Sequence, residues 1–206
     1  MTSAAKDEDQ TLVHDTFVDL LECCAHQILF HRCVYPERIF SRARHFGAPV
    51  RRADHPAVGK FVASELRILR RALEAGAEVT RVDMVIVDAS SSREVETHAF
   101  RTIQPKVDDD GKRSSDRGVT LGELESKCRS QLLMLNARLP SLPALKLLDD
   151  EDPTFVFRYH TDMEAANKLR SEQGWAEIEP AEEEGKTAVP VHRIKGPLML
   201  ETFVML

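Results

Sequence analysis

The sequence predicts an α+β fold, three helices packed on one face of an antiparallel sheet, and three observations carry that prediction. Three long stretches repeat apolar residues at three- and four-residue steps. Several shorter runs alternate or run apolar at strand length, bounded by turn residues. A chain of 206 residues that is 42% hydrophobic and 30% charged is long enough for one sizeable core, so these elements are expected to share it.

From Thr11 to Phe30 the stripe is Leu12, Val13, Phe17, Leu20, Leu21, Cys24, Ile28 and Leu29, a helix with one apolar side to lay on a sheet. Residues 1–9 are expected to be a flexible lead-in. Pro36 ends the helix at the latest, because a residue before proline is pushed out of helical geometry. The stretch "SRARHFGAPVRRAD" then reads as a basic loop. A second helix starts at Asp54 or His55, with Pro56 preorganised for its first turn. Val58, Phe61, Val62, Leu66, Leu69 and Leu73 give it a buried stripe, and "EAG" closes it.

Val82, Met84, Val85, Ile86 and Val87 form a β run, "DASSS" makes a turn, and Val95 to Ile103 alternates back as a hairpin. Residues 106–118, polar and rich in turn formers, read as a mobile loop. The third helix runs from Thr120 to Leu139 on Leu121, Leu124, Cys128, Leu132, Leu135 and Leu139. Thr120 and Glu123 stand at capping-box spacing, and Pro140 and Pro143 stop the helix. In the last quarter "TFVFRYHT" is a strand, "MEAANKLRSEQGW" a helical turn or an irregular run, and "AVPVHRIKGPLMLETFVML" two extended segments broken at Gly196-Pro197.

A net charge of −6 and pI near 5.8 argue against a generic grip on phosphate backbones. No run approaches a membrane span, and "MTSAAKDEDQ" has no leader pattern, so a nuclear or cytoplasmic protein is expected. Cys23, Cys24, Cys33 and Cys128 form no CxxC pair and read as small hydrophobes or idle thiols. The eight histidines are scattered, His26 and His31 on different helical faces, and zinc needs three or four convergent ligands, so neither metal nor cofactor is expected.

No Gly-rich phosphate loop, GxSxG or HExxH occurs, so the chain reads as no enzyme. A small hydrolase using a histidine and a carboxylate stands as the alternative of another class. The acidic runs at 108–110 and 182–184 read as solvated rather than as ion sites. Arg42, Arg44, Arg51 and Arg52, interleaved with His45 and Phe46, read as a solubilising patch before they read as a contact to DNA or an acidic partner. Trp175 admits two readings, core residue or peptide-contacting anchor.

Taken in order, "ILFHRCVYPERIF", "PVRRADHPAVGKFV", "VDMVIVDASSSREVETHAFRTIQP", "FVFRYHTDMEAANKL", "GWAEI" and "VPVHRIKGPLMLETFVML" resemble the HORMA domain family from about residue 10 to 206. Within it they look most like the branch of DNA polymerase zeta accessory subunits. The resemblance implies a single HORMA domain over 1–206, with a C-terminal safety belt over 150–206 wrapping a partner peptide added as a strand. It implies peptide contacts at Tyr35, Phe61, Ile68 and Trp175. Phe61 stands where the family has a tyrosine, and Cys33 replaces a family glutamate. A second surface, at Ala188, Glu201 and Phe203, is implied to meet the C-terminal domain of the scaffold translesion polymerase. Ala188 stands there in place of a larger leucine. Arg129 matches an arginine implicated in HORMA homo- or heterodimers.

The function so implied is that of a noncatalytic adaptor. It would clamp a proline-containing peptide of the catalytic subunit of DNA polymerase zeta, in DNA damage bypass. The alternative within the fold is a spindle-checkpoint protein binding an activator of the anaphase-promoting complex.

Overall fold

The computed structural model describes residues 3–102, 120–148, 150–162, 186–195 and 198–206, with side chains from residue 8. In chain order the elements are helix α1 (Ser3–His31), strands β1 (Phe40–His45) and β2 (Ala48–Ala53), helix α2 (Pro56–Glu74), strands β3 (Val79–Asp88) and β4 (Glu94–Thr102), helix α3 (Leu121–Arg138), and strands β5 (Pro153–Thr161), β6 (Ala188–Ile194) and β7 (Leu200–Met205). The α+β class with three helices and an antiparallel sheet is as the sequence predicts. The expected loop 106–118, the acidic runs at 108–110 and 182–184, and the "MEAANKLRSEQGW" run lie outside the described residues.

Five strands form one sheet in the order β5-β3-β4-β7-β6, every pairing antiparallel. Even-numbered residues of β3, Val82, Met84 and Ile86, point into the core shared with the helices, and Phe100, Phe155, Leu200 and Val204 join them from the other strands. Leu20, Leu21, Cys24, Ile28 and Leu29 of α1 meet this face, as the stripe spacing requires. Each such fully buried large aliphatic side chain contributes about 1.5–3 kcal/mol over an exposed one.

Two segments differ from the sequence expectation. Helix α1 starts at Ser3, well before Thr11, and takes in most of the stretch expected to be flexible. "AAKDEDQ" contains neither Gly nor Pro, so nothing local breaks the helix. The expected basic loop is instead a hairpin, β1 and β2 in full register from Phe40↔Ala53 to His45↔Ala48. Phe46 and Gly47 make its two-residue turn with φ of 47° and 73°, the double positive φ that matches strand twist. The backbone N–H groups of Arg51 and Ala53 donate to Gln27 Oε1 (2.7 Å) and His26 Nδ1 (3.4 Å), which fastens β2 to α1.

The end of α1 explains the apolar stretch that follows it. Val34 N–H donates to Leu29 O (3.1 Å) and Cys33 N–H to Phe30 O (3.1 Å), with Cys33 at φ 54°. That is a Schellman cap, three residues ahead of Pro36, and its hydrophobic partner Val34 is buried. Helix α2 ends in the same motif with Gly76, φ 80°, in the left-handed place. Thr120 caps α3, accepting from Glu123 N–H at 3.3 Å, which is one half of the expected capping box.

Candidate peptide-binding edge

Strand β5 is one edge of the sheet, paired with β3 along its length and with no strand on its outer side among the described residues. Its period-2 pattern puts Phe155, Phe157 and Tyr159 on the helix side. Phe155 lies edge-on to Phe157 (6.0 Å), and Phe157 stacks on Tyr159 (6.3 Å). Helix α2 adds Phe61, 5.2 Å from the Phe155 ring and 39% exposed. The segment after α1 adds Tyr35, 6.3 Å from Phe155, its hydroxyl 3.5 Å from Thr154 Oγ1. The result is an aromatic floor beside an open hydrogen-bonding edge.

Two of the four expected peptide residues, Tyr35 and Phe61, thus converge on Phe155. Ile68 is half-buried on α2, seven residues after Phe61 and on the same helical side. Trp175 lies outside the described residues. Sequence reading missed Phe155, Phe157 and Tyr159 as groove residues, although their alternation in "TFVFRYHT" already placed them on one face. It also missed Glu65, one turn beyond Phe61 on that side of α2. Burial pushes the Glu65 carboxyl above its ordinary range. The Tyr159 phenol is pushed up too, by burial first and then by the Glu65 charge.

The opposite edge of the sheet is built differently. Strand β6 contains Pro190, which has no N–H to offer, and its pairing with β7 shifts register between Pro190 and His192. Proline and a bulge are the usual guards of an edge strand; in β5 they stand only at the ends, Pro153 as the first residue and a register shift against β3 at Thr161 and His160, which leaves Thr154–Tyr159 regular.

On the sheet's other face Ala188, Glu201 and Phe203 come together. Ala188 opposes Met205, two residues from Phe203, and Glu201 is two residues further along β7. Arg81 and Arg101 both lie over the Phe203 ring, at 5.5 and 5.1 Å, and Arg101 reaches Glu201 at 3.7 Å. Arg129 is exposed on α3 and donates Nε–H to Phe46 O (2.9 Å), holding the hairpin turn. A Cβ on Gly47 would stand 2.6 Å from that guanidinium, so the two positions fit each other.

The polar clusters read as structural. Arg32 holds Glu96 through two bonds (2.8 and 2.7 Å), and His98 Nε2 is 2.6 Å from the same carboxylate, all three buried. Burial raises the Glu96 carboxyl, but the bonds from His98 and Arg32 outweigh it and leave it below its ordinary range. His160 and Arg81 share Asp83 on the other face (2.8 and 2.6 Å). Ser130 Oγ lies 3.0 Å from His192 Nε2, and Gln131 Nε2–H donates to Thr202 Oγ1 (2.9 Å), so α3 tethers β6 and β7. Cys23 and Cys128 are pushed up to about 12 by burial first, far from a reactive thiolate.

No family model matches the chain. Over 93% of its length it superposes on 97% of a chain in the crystal structure of the mitotic checkpoint complex, with TM-score 0.71 and 17% identity. The chain has the HORMA fold. HTP-2 bound to HTP-3 motif-6 superposes with TM-score 0.65 at 12% identity, covering 91% of this chain and 87% of that one. In sequence this HORMA chain is 27% identical over 164 residues, 79% of its length and 72% of the relative's, to the mitotic spindle assembly checkpoint protein MAD2B of Homo sapiens. It is 26% identical over 184 residues to the mitotic spindle checkpoint protein MAD2 of Arabidopsis thaliana, covering 87% of this chain and 81% of that one. The resemblance to HORMA domains read from the sequence therefore stands.

Proposed function

We propose that this protein is a noncatalytic adaptor that captures an extended segment of a partner protein as a sixth strand on the outer edge of β5. The β5 edge, regular from Thr154 to Tyr159 and without a strand on its outer side among the described residues, carries this reading together with its aromatic floor. Main-chain bonds along the edge supply affinity without regard to sequence, and the rings of Tyr35, Phe61 and Phe155 favour proline or another apolar side chain. A solved structure that shares this fold, HTP-2 bound to an HTP-3 motif, supports capture of a partner's segment. The belt role is assigned to residues 150–206, the part of the chain that supplies β5 at one edge of the sheet and β7 and β6 at the other.

The partner we infer is a proline-containing segment of the DNA polymerase zeta catalytic subunit. Ala188, Glu201 and Phe203 then form the surface for the C-terminal domain of the scaffold translesion polymerase, Arg129 serves HORMA pairing, and the work is nuclear DNA damage bypass. The family resemblance of the residues quoted from the sequence favours this branch. The second reading, a spindle-checkpoint protein holding an activator segment, draws on the names of the MAD2 and MAD2B relatives. The hydrolase alternative has little support: among the described residues all three histidine–carboxylate pairs, His26–Glu22, His98–Glu96 and His160–Asp83, are also engaged by arginine, and the Ser130–His192 pair has no carboxylate bonded to it.

Fluorescence anisotropy with a labelled proline-rich peptide of that catalytic subunit tests the proposal. Phe61→Ala should weaken binding by about 1–2 kcal/mol, and Trp175→Ala by about 2 kcal/mol, with far-UV circular dichroism unchanged. Absence of binding to the folded protein, with binding of a checkpoint activator peptide in its place, would move the assignment to the second reading.

A further inference from the structure

Glu65 has no structural explanation where it stands. Phe61, Glu65 and Ile68 fall at i, i+4 and i+7, so the carboxylate lies on the side of α2 that carries the groove ring Phe61. It is half-buried, and close enough to Tyr159 for its charge to be felt by the phenol. Among the described residues it has no hydrogen bond and no salt bridge; burial alone acts on it, with no cation to offset the loss of water. Three other carboxylates of the sheet, by contrast, are each held: Glu96 by Arg32 and His98, Glu94 by Arg158 and Lys186, Asp83 by Arg81 and His160. A half-buried carboxylate beside an aromatic ring is costly unless a cation meets it, and the described residues supply none.

We propose that the segment captured at β5 presents a lysine or arginine to Glu65, two or four residues from the apolar residue that packs against Phe61 and Phe155. This rests on the reading of β5 as the docking edge and names the chemistry of what docks there. The spacing follows from the strand: residues facing the helix side recur every second position, and Phe155 and Tyr159 are four apart. The cation would meet one carboxylate and neighbouring aromatic faces, which favours arginine over lysine. Partial burial makes the pair selective, since a neutral or acidic residue at that position leaves Glu65 uncompensated.

The test is selection from a random 16-residue peptide library displayed on phage, with the whole protein as bait in wild-type, Glu65→Lys and Phe61→Ala forms. Wild type should enrich peptides with Lys or Arg at a fixed two- or four-residue offset from Pro or another apolar residue. Glu65→Lys should enrich Asp or Glu at that same offset, with the apolar position kept. For one enriched synthetic peptide, changing its basic residue to Glu should weaken binding about tenfold on wild type and restore it on Glu65→Lys. Enriched peptides that need Phe61 but show the same charge preference on wild type and Glu65→Lys would overturn this inference and leave the docking edge intact. Enriched peptides indifferent to Phe61, or none at all, would overturn both.

Discussion

His26 sits on α1 under the β2 backbone, accepting from Ala53 N–H, and burial followed by the Arg52 charge lowers its pKa from 6.5 to about 4. When pH falls, the unfolded chain takes up this proton first. The contribution of neutral His26 is therefore complete above pH 6.5 and declines as pH falls toward 4. His14, His31 and His192 are also lowered, with burial the first cause, and act in the same direction. Urea unfolding of the wild type should show a loss of about 2 kcal/mol attributable to His26 between pH 7.5 and 5. His26→Gln keeps an acceptor for Ala53 N–H but cannot titrate. Its stability should fall less over that interval, and an unchanged slope would show that His26 is not the sensor.

At the level of elements, the two helix ends make a matched comparison. α1 and α2 finish in the same cap, but the left-handed place holds Cys33 in one and Gly76 in the other. A side chain in that conformation is strained, and Cys33 is exposed, so glycine there loses no packing. Cys33→Gly should raise stability by about 0.5–1 kcal/mol, read as a higher urea midpoint with unchanged slope. A decrease would mean that the Cys33 side chain holds something of its own.

The same comparison shows what the sequence could reveal. Gly76 announced its cap in "EAG", whereas Cys33 gave no sign, and the visible stop was Pro36. The three helices, the β3–β4 hairpin, β5 and the two C-terminal strands were legible because each buries one face, and burial imposes a period on composition. Strands β1 and β2 were not legible. Their buried residues are Phe40, Ala48, Val50 and Ala53, two of them only alanines, with arginines interrupting the alternation, and the turn is Phe46-Gly47 rather than Asn-Gly. Of the site, Tyr35 and Phe61 came from family resemblance. Glu65 could not, since what singles it out is the lack of a partner among the described residues, which only the folded chain displays.

Over the whole molecule, the strand order couples the C-terminal pair. β7 lies between β4 and β6, so it is no free edge, and α3 holds both β6 and β7 through Ser130–His192 and Gln131–Thr202. These two strands should detach as one unit. Native-state hydrogen exchange in low urea is expected to give β6 and β7 amides a common opening free energy, above that of the outer amides of β5. Separate opening of β6, with β7 still protected, would contradict that coupling.

The outer side of β5, which carries no strand among the described residues, also bears on how the protein behaves in a tube or a cell. An edge that welcomes a partner's backbone welcomes any extended backbone, including the β5 of another copy. Occupancy and solubility then become one quantity: purified alone and concentrated, the chain is its own competitor ligand, and with its edge filled it has nothing left to nucleate.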